Sequence, residues 1–182
     1  MIQEKPIFRE AKTDEADLVN DFIFNKFGSE ELQLFQQFSF WIKEGKVKEV
    51  FLLKKNIESI VKKLPTQVYS TGIPIGSIWK NKFQLEIEGS SLLSSITSKK
   101  IQVKTDQFLY GKHIFVENIE SSASDFDKED IIIIIGKNAL HYGVGKAEIG
   151  SNEIHNAPVN TILIKGSPDK PLDRGWYLRR GK

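Results

Sequence analysis

The groups able to do chemistry in this chain are few. Cysteine is absent from all 182 residues, which removes thiolate nucleophiles, disulfides and the usual structural zinc sites. The histidines, His113, His141 and His155, offer no pair at the helical i, i+4 spacing of a zinc hydrolase, so no metal is expected. Glu86 and Glu88 alternate on what reads as one strand face, where two carboxylates could serve as acid and base. An amphipathic strand shows its charges to water in the same pattern, and that is the expected role. Gly143-Val144-Gly145 lacks the third glycine and following helix of a dinucleotide site; a strand where close backbone approach excludes side chains explains it better. There is no phosphate-loop lysine motif and no nucleophile elbow. No cofactor, catalytic residue or small-molecule substrate is expected.

The tail differs in kind. From Lys165 onward the basic residues are Lys165, Lys170, Arg174, Arg179, Arg180 and Lys182, against Asp169 and Asp173. They are interleaved with Trp176 and Tyr177. Guanidinium groups pair with phosphates and stack on bases, and aromatic faces support an unstacked base, so the combination suits single-stranded RNA. Read as a strand, Trp176–Arg180 points Trp176 and Leu178 inward and leaves Arg179 and Arg180 for contact, with Arg174 and Lys182 as neighbours. Lys112 joins them if the tail returns beside Gly111. Lys99, Lys100 and Lys104 are expected to be solubilising.

These side chains need elements to hold them. Ser29 is placed to cap a helix with Leu32, Phe35, Phe38 and Ile42 on its apolar face, ended by Gly45. Val47–Leu53 reads as a buried strand, followed by a helix through Ile57, Ile60, Val61 and Leu64 that Pro65 stops. Ile75–Trp79 and Phe83–Ile87 form a hairpin about Lys80 and Asn81, before a short helix at Ser90–Thr97. Beyond Ser98 the chain changes to short strands: Ile101–Lys104, His113–Ile119, Asp130–Gly136, His141–Ile149, Thr161–Lys165 and Trp176–Arg180, with a helical turn at Thr105–Tyr110. The fold class expected is α+β. It comprises an N-terminal mixed α/β domain over residues 1–98 and a small β-barrel over residues 99–182. The longest apolar run, Ile131–Ile135, is far short of a membrane span, and the acidic N-terminus is unlike a signal peptide, so a cytoplasmic protein is expected.

At Gln107-Phe108-Leu109-Tyr110-Gly111-Lys112-His113-Ile114, at Asp130 before the isoleucine strand, and at Tyr142-Gly143-Val144-Gly145-Lys146-Ala147, the chain resembles the PUA domain, a module of RNA-binding proteins. Val50–Leu53, the helix through Ile57 and Ile60, and Gly76–Ile87 are similar to elements of the nuclear-import-seven family of large-subunit ribosome assembly factors. That family's terminal Asp-x-Gly-x-Tyr-x-Arg pattern stands here as Asp173, Gly175, Tyr177 and Arg179. Richness in Ile and Lys fits an archaeal source.

The resemblance implies a non-catalytic adaptor. Its PUA barrel, residues 99–182, would bind single-stranded or pre-ribosomal RNA, uridine- or adenine-rich, through Lys112, Arg174, Arg179, Arg180 and Lys182. Its N-terminal domain would meet other ribosome assembly factors. The alternative is a PUA-containing RNA-modification enzyme, or its accessory subunit, acting on tRNA or rRNA.

Overall fold

A computed structural model describes residues 7–64, 68–122 and 125–180, the last by its backbone alone. The chain divides into two compact units, one ending at Gly89 and one beginning at Ser90. In the first, strands β1 (Phe8–Glu10), β2 (Phe38–Lys43), β3 (Lys48–Lys54), β4 (Ile73–Trp79) and β5 (Lys82–Leu85) lie in that spatial order, each antiparallel to its neighbours. The apolar run Val50–Leu53 explains the central place of β3: all four side chains are buried. Lys80 and Asn81 both adopt left-handed φ angles, 49° and 55°, the two-residue geometry whose twist matches the strands that it joins. Helices α1 (Thr13–Lys26), α2 (Ser29–Phe35) and α3 (Lys55–Val61) complete the unit.

Several expectations need correction here. The helix after Ser29 stops at Phe35, and Phe38 and Ile42 belong to β2. Phe, Trp and Ile in Phe38–Ile42 fit a pleated surface, and pairing with β1 and β3 on either side overrides the helical spacing. Gly28, at φ +127°, occupies the cap position expected of Ser29. Glu86 follows β5, and Glu88 lies in helix α4 (Ile87–Leu93), so the two share no strand face. Burial raises the Glu86 pKa, partly offset by a hydrogen bond from Ser77. No residue of α3 is buried; of its apolar side chains Val61 packs on the Phe8, Trp41, Phe51 and Leu53 cluster. Pro65, expected to stop that helix, lies outside the described residues.

Helix α1 is anchored by a charge. Glu15 is buried, and its carboxylate accepts from Arg9 at 2.8 and 2.9 Å, from Lys48 at 2.6 Å and from the Lys12 amide at 2.9 Å. These donors, Arg9 foremost, lower its pKa to about 2 against the opposing effect of burial.

In the second unit, β6 (Lys100–Val103), β8 (Ile119–Ser122), β9 (Ile131–Ile135) and β10 (His141–Lys146) form a sheet in the order β10-β9-β6-β8, with β6 and β9 parallel. Strands β7 (Ile114–Phe115) and β11 (Ile162–Ile164) pair separately. Ile101, Val103, Phe108, Ile114, Ile132, Ile134, Leu163 and Ile164 supply most of the common core. A bridge between Ala147 and Ile164 links the two sheets, but they do not close into the barrel expected.

Trp176–Arg180 was to be the closing strand; it lies instead in helix α5 (Gly175–Arg180). Leu172–Arg174, just before that helix, takes up the pairing: Val144 N donates to Leu172 O and Arg174 N to Tyr142 O, both at 2.9 Å. Leu178, expected inward, is 82% exposed. Among the described residues no helix is long and apolar enough to cross a membrane.

Candidate nucleic-acid interface

Residues Gln107–Tyr110 form a tight 3-10 turn that drives Phe108 into the core and leaves Tyr110 exposed. Gly111 ends it at φ +74°, a left-handed conformation that a side chain would strain. The tail crosses this point. A Cβ on Gly111 would lie 2.9 Å from Pro168 Cα, and one on Gly166 would lie 2.2 Å from the Lys112 carbonyl oxygen. Gly166 N also donates to His113 Nδ1 at 3.1 Å. The return of the tail beside Gly111, on which Lys112 depended, is therefore present, made by a loop and not by a strand. Lys112 is exposed and forms no ion pair with any described residue.

Helix α5 is fastened to the same turn. A Cβ on Gly175 would stand 1.8 Å from the Leu109 carbonyl oxygen, so only glycine permits the approach. Arg179 Nη1 donates to that carbonyl and, at 3.0 Å, to Asp173 Oδ1, while Nη2 donates to Asp173 Oδ2 at 2.9 Å. The Asp173 side chain is 1% exposed and that of Arg179 25%. Six residues of extended strand would separate the two by roughly 20 Å; helical winding brings the guanidinium back. Tyr177 and Leu178 are left outward, and the half-buried Trp176 ring meets Tyr177 edge-on at 5.5 Å.

Arg174 takes another direction. Its Nε donates to His141 Nδ1 at 3.1 Å and its Nη2 to Ser91 Oγ at 2.8 Å, and His141 Nε2 lies 2.9 Å from the buried Ser90 Oγ. Burial, and secondarily the Arg174 charge, lowers the His141 pKa to about 4, so the ring is neutral at pH 7. Because Nδ1 accepts from Arg174, the single ring proton is assigned to Nε2, which donates to Ser90. A serine nucleophile requires the reverse polarity, with the imidazole accepting from the hydroxyl.

Of the residues singled out from sequence, Lys112 and Arg179 therefore sit on elements packed together, whereas Arg174 engages His141 and Ser91. The Arg180 side chain and Lys182 lie outside the described residues. Lys99, Lys100 and Lys104 bond to Asp130 Oδ2, Ser94 O and Glu117 O. Gly143 and Gly145 do mark close approach: a Cβ would meet Leu172 O at 2.1 Å and Ile164 Cγ2 at 2.2 Å. Tyr177 is one of the tail aromatics that composition points to, whereas Tyr110 lies outside the tail and only its place in the Phe108-Leu109-Tyr110-Gly111 segment signals it; both are exposed. No cluster that could hold a metal ion occurs among the described residues.

Comparison with known proteins matches both units. Residues 8–87 fit the family model for the NIP7/UPF0113 pre-PUA domain, and residues 99–182 that for the UPF0113 PUA domain. A UPF0113 protein of Archaeoglobus fulgidus is 26% identical over 178 residues, covering 96% of each chain. One of Aeropyrum pernix is 31% identical over 146 residues, covering 75% of this chain and 72% of the relative. Two solved structures share the fold. A hypothetical protein of Pyrococcus horikoshii has a TM-score of 0.65 at 10% identity, over 95% of this chain and 99% of that one. A conserved PUA domain protein of Thermoplasma acidophilum has a TM-score of 0.58 at 15% identity, over 93% and 99%.

Proposed function

The chain belongs to the NIP7/UPF0113 family, as an archaeal-type member with a C-terminal PUA domain, and from that premise we propose that it is a non-catalytic, RNA-binding ribosome assembly factor. It acts in the cytoplasm, in pre-rRNA processing and large-subunit assembly. Residues 99–182 hold single-stranded pre-ribosomal RNA, and residues 1–98 engage other assembly factors. The observation that carries the RNA reading is the crossing of the tail over the Gln107–Gly111 turn. It sets exposed Tyr110 and Lys112 on one element and exposed Tyr177 on the helix packed against it. Aromatic faces take unstacked bases and the ammonium takes a phosphate. Arg174, Arg180 and Lys182 are carried from the sequence as further RNA contacts, while Arg179 holds α5 in place. The modification-enzyme alternative finds no support in the Ser90–His141 pair, whose polarity is wrong for a nucleophile.

The test is binding of a labelled, uridine- and adenine-rich single strand across a salt series. Lys112→Ala should weaken binding and reduce the slope of log affinity against log salt by about 0.7. Tyr110→Ala should weaken it by about 1–3 kcal/mol with the slope unchanged. If both variants bind as the wild type does, this surface is not the RNA site. Crosslinking in cells, followed by sequencing of the attached fragments, separates ribosomal from transfer RNA; exclusive recovery of the latter overturns the assembly role.

A further inference from the structure

Among the described residues, helix α3 is fastened along one side only. Val61 packs on the Phe8, Trp41, Phe51 and Leu53 cluster, Glu58 accepts from Ser39 Oγ, and Lys62 pairs with Glu58 and Glu10. Another side carries Ile57 and Ile60, continued by Leu64 on the following turn, where Leu64 N donates to Val61 O at 3.2 Å. All three are exposed, Ile60 to 56%. Their i, i+3, i+7 spacing is that of a core-facing stripe, yet the described residues of this unit leave it exposed. Contiguous exposed apolar side chains of this kind mark interaction sites. What surrounds the stripe defines the occupant. Lys54 precedes the helix and Lys63 follows it, and neither forms an ion pair with any described residue, whereas the nearby carboxylates of Glu58 and Glu10 are taken up by Lys62.

We propose that this stripe docks an acidic, amphipathic segment of a protein partner. Its apolar side chains lie on Ile57, Ile60 and Leu64, and its carboxylates face Lys54 and Lys63. The inference deepens the adaptor reading of residues 1–98 by naming the surface and the chemistry of the partner; it does not depend on RNA binding. A membrane is the poorer fit, because three side chains on a short helix bury too little to anchor a protein on a bilayer. RNA is poorer still, since the stripe offers no aromatic or guanidinium group for a base.

The probe is a synthetic helix-forming peptide with Leu at i, i+3, i+4 and i+7 and Glu at the remaining positions, titrated against the full chain and followed by backbone NMR. Shifts should concentrate in residues 54–64. Ile60→Asp should weaken binding by at least about tenfold, as loss of a central apolar anchor does. Lys63→Glu should weaken it severalfold at low salt and much less at high salt. Ile60 is more than half exposed, so the aspartate variant should keep the wild-type urea midpoint, and both variants should bind single-stranded RNA unchanged. The proposal is overturned if the peptide shifts no resonance in residues 54–64, or binds Ile60→Asp as well as wild type. It is equally overturned if phosphatidylserine vesicles, and not the peptide, respond to that substitution. A loss of RNA affinity in Ile60→Asp would overturn the separation of the two surfaces.

Discussion

Replacing Arg179 by Ala tests the division between holding and binding. The Asp173 side chain is 1% exposed, and both of its oxygens accept from one guanidinium. Removing the cation leaves a buried carboxylate without its charge partner, a change that costs about 3–5 kcal/mol where water cannot enter. Arg179 is itself 25% exposed, so water replaces part of the interaction and the lower end, about 3 kcal/mol, is expected. That is roughly a hundredfold in the folding constant. Urea unfolding followed through the amide signals of Ile131–Ile135 reports on the second unit alone. Arg179→Lys keeps the charge and loses the two-pronged geometry, so it should also destabilise, whereas a simple phosphate contact would tolerate lysine. RNA affinity of folded Arg179→Ala should fall by less than about threefold, well below the effect of a base-stacking residue. Unchanged stability in both variants, with a tenfold or greater loss of RNA affinity in the alanine variant, would refute the holding role.

Two further outcomes follow from the same surface. The folded-state pKa of His141, about 4, lies below the ordinary value near 6.5. The unfolded chain therefore binds more protons between these limits. The stability that this histidine contributes is complete above about pH 6.5 and is lost as pH falls toward 4, by at most about 3 kcal/mol; His141→Gln should flatten that slope in urea midpoints measured from pH 7.5 to 4.5. Leu178→Ser should change stability by no more than about 0.5 kcal/mol, as for an exposed site, whereas an inward strand residue would cost several times that in the same titration.

Long apolar runs and tight turns were the legible parts of the fold. Val50–Leu53 and Ile131–Ile135 announce buried strands by continuity, and Lys80-Asn81 between alternating residues announces a hairpin. Helix α1 was not legible because its anchor is Glu15, a charge that hydropathy assigns to solvent and that Arg9 and Lys48 bury. The α2–β2 junction failed for a different reason. Phe35, Phe38 and Ile42 satisfy helical spacing, and only the neighbouring strands, remote in sequence, decide otherwise. At the candidate site the residue types were readable but their partners were not. Lys112 depended on a return of the tail that spacing cannot show, and Arg179 on a carboxylate that only helical winding brings within reach.

The tail pattern Asp173, Gly175, Tyr177 and Arg179 therefore separates into parts. Asp173 and Arg179 neutralise each other, Gly175 admits the Leu109 carbonyl, and Tyr177 alone of the four faces outward. A charge already matched by a buried carboxylate releases no counterion from RNA. The sequence counts Arg179 among five phosphate-binding cations, Lys112, Arg174, Arg179, Arg180 and Lys182, which gives a salt slope of roughly −3.5; without it four remain, and the slope becomes roughly −3. A measured slope of roughly −3.5 or steeper for the wild type, made shallower by Arg179→Ala without loss of stability, would return Arg179 to the RNA surface. A slope of roughly −3 that folded Arg179→Ala leaves unaltered would mean that the most regular feature of the tail serves to hold α5 on its turn, and that contact falls to the residues around it.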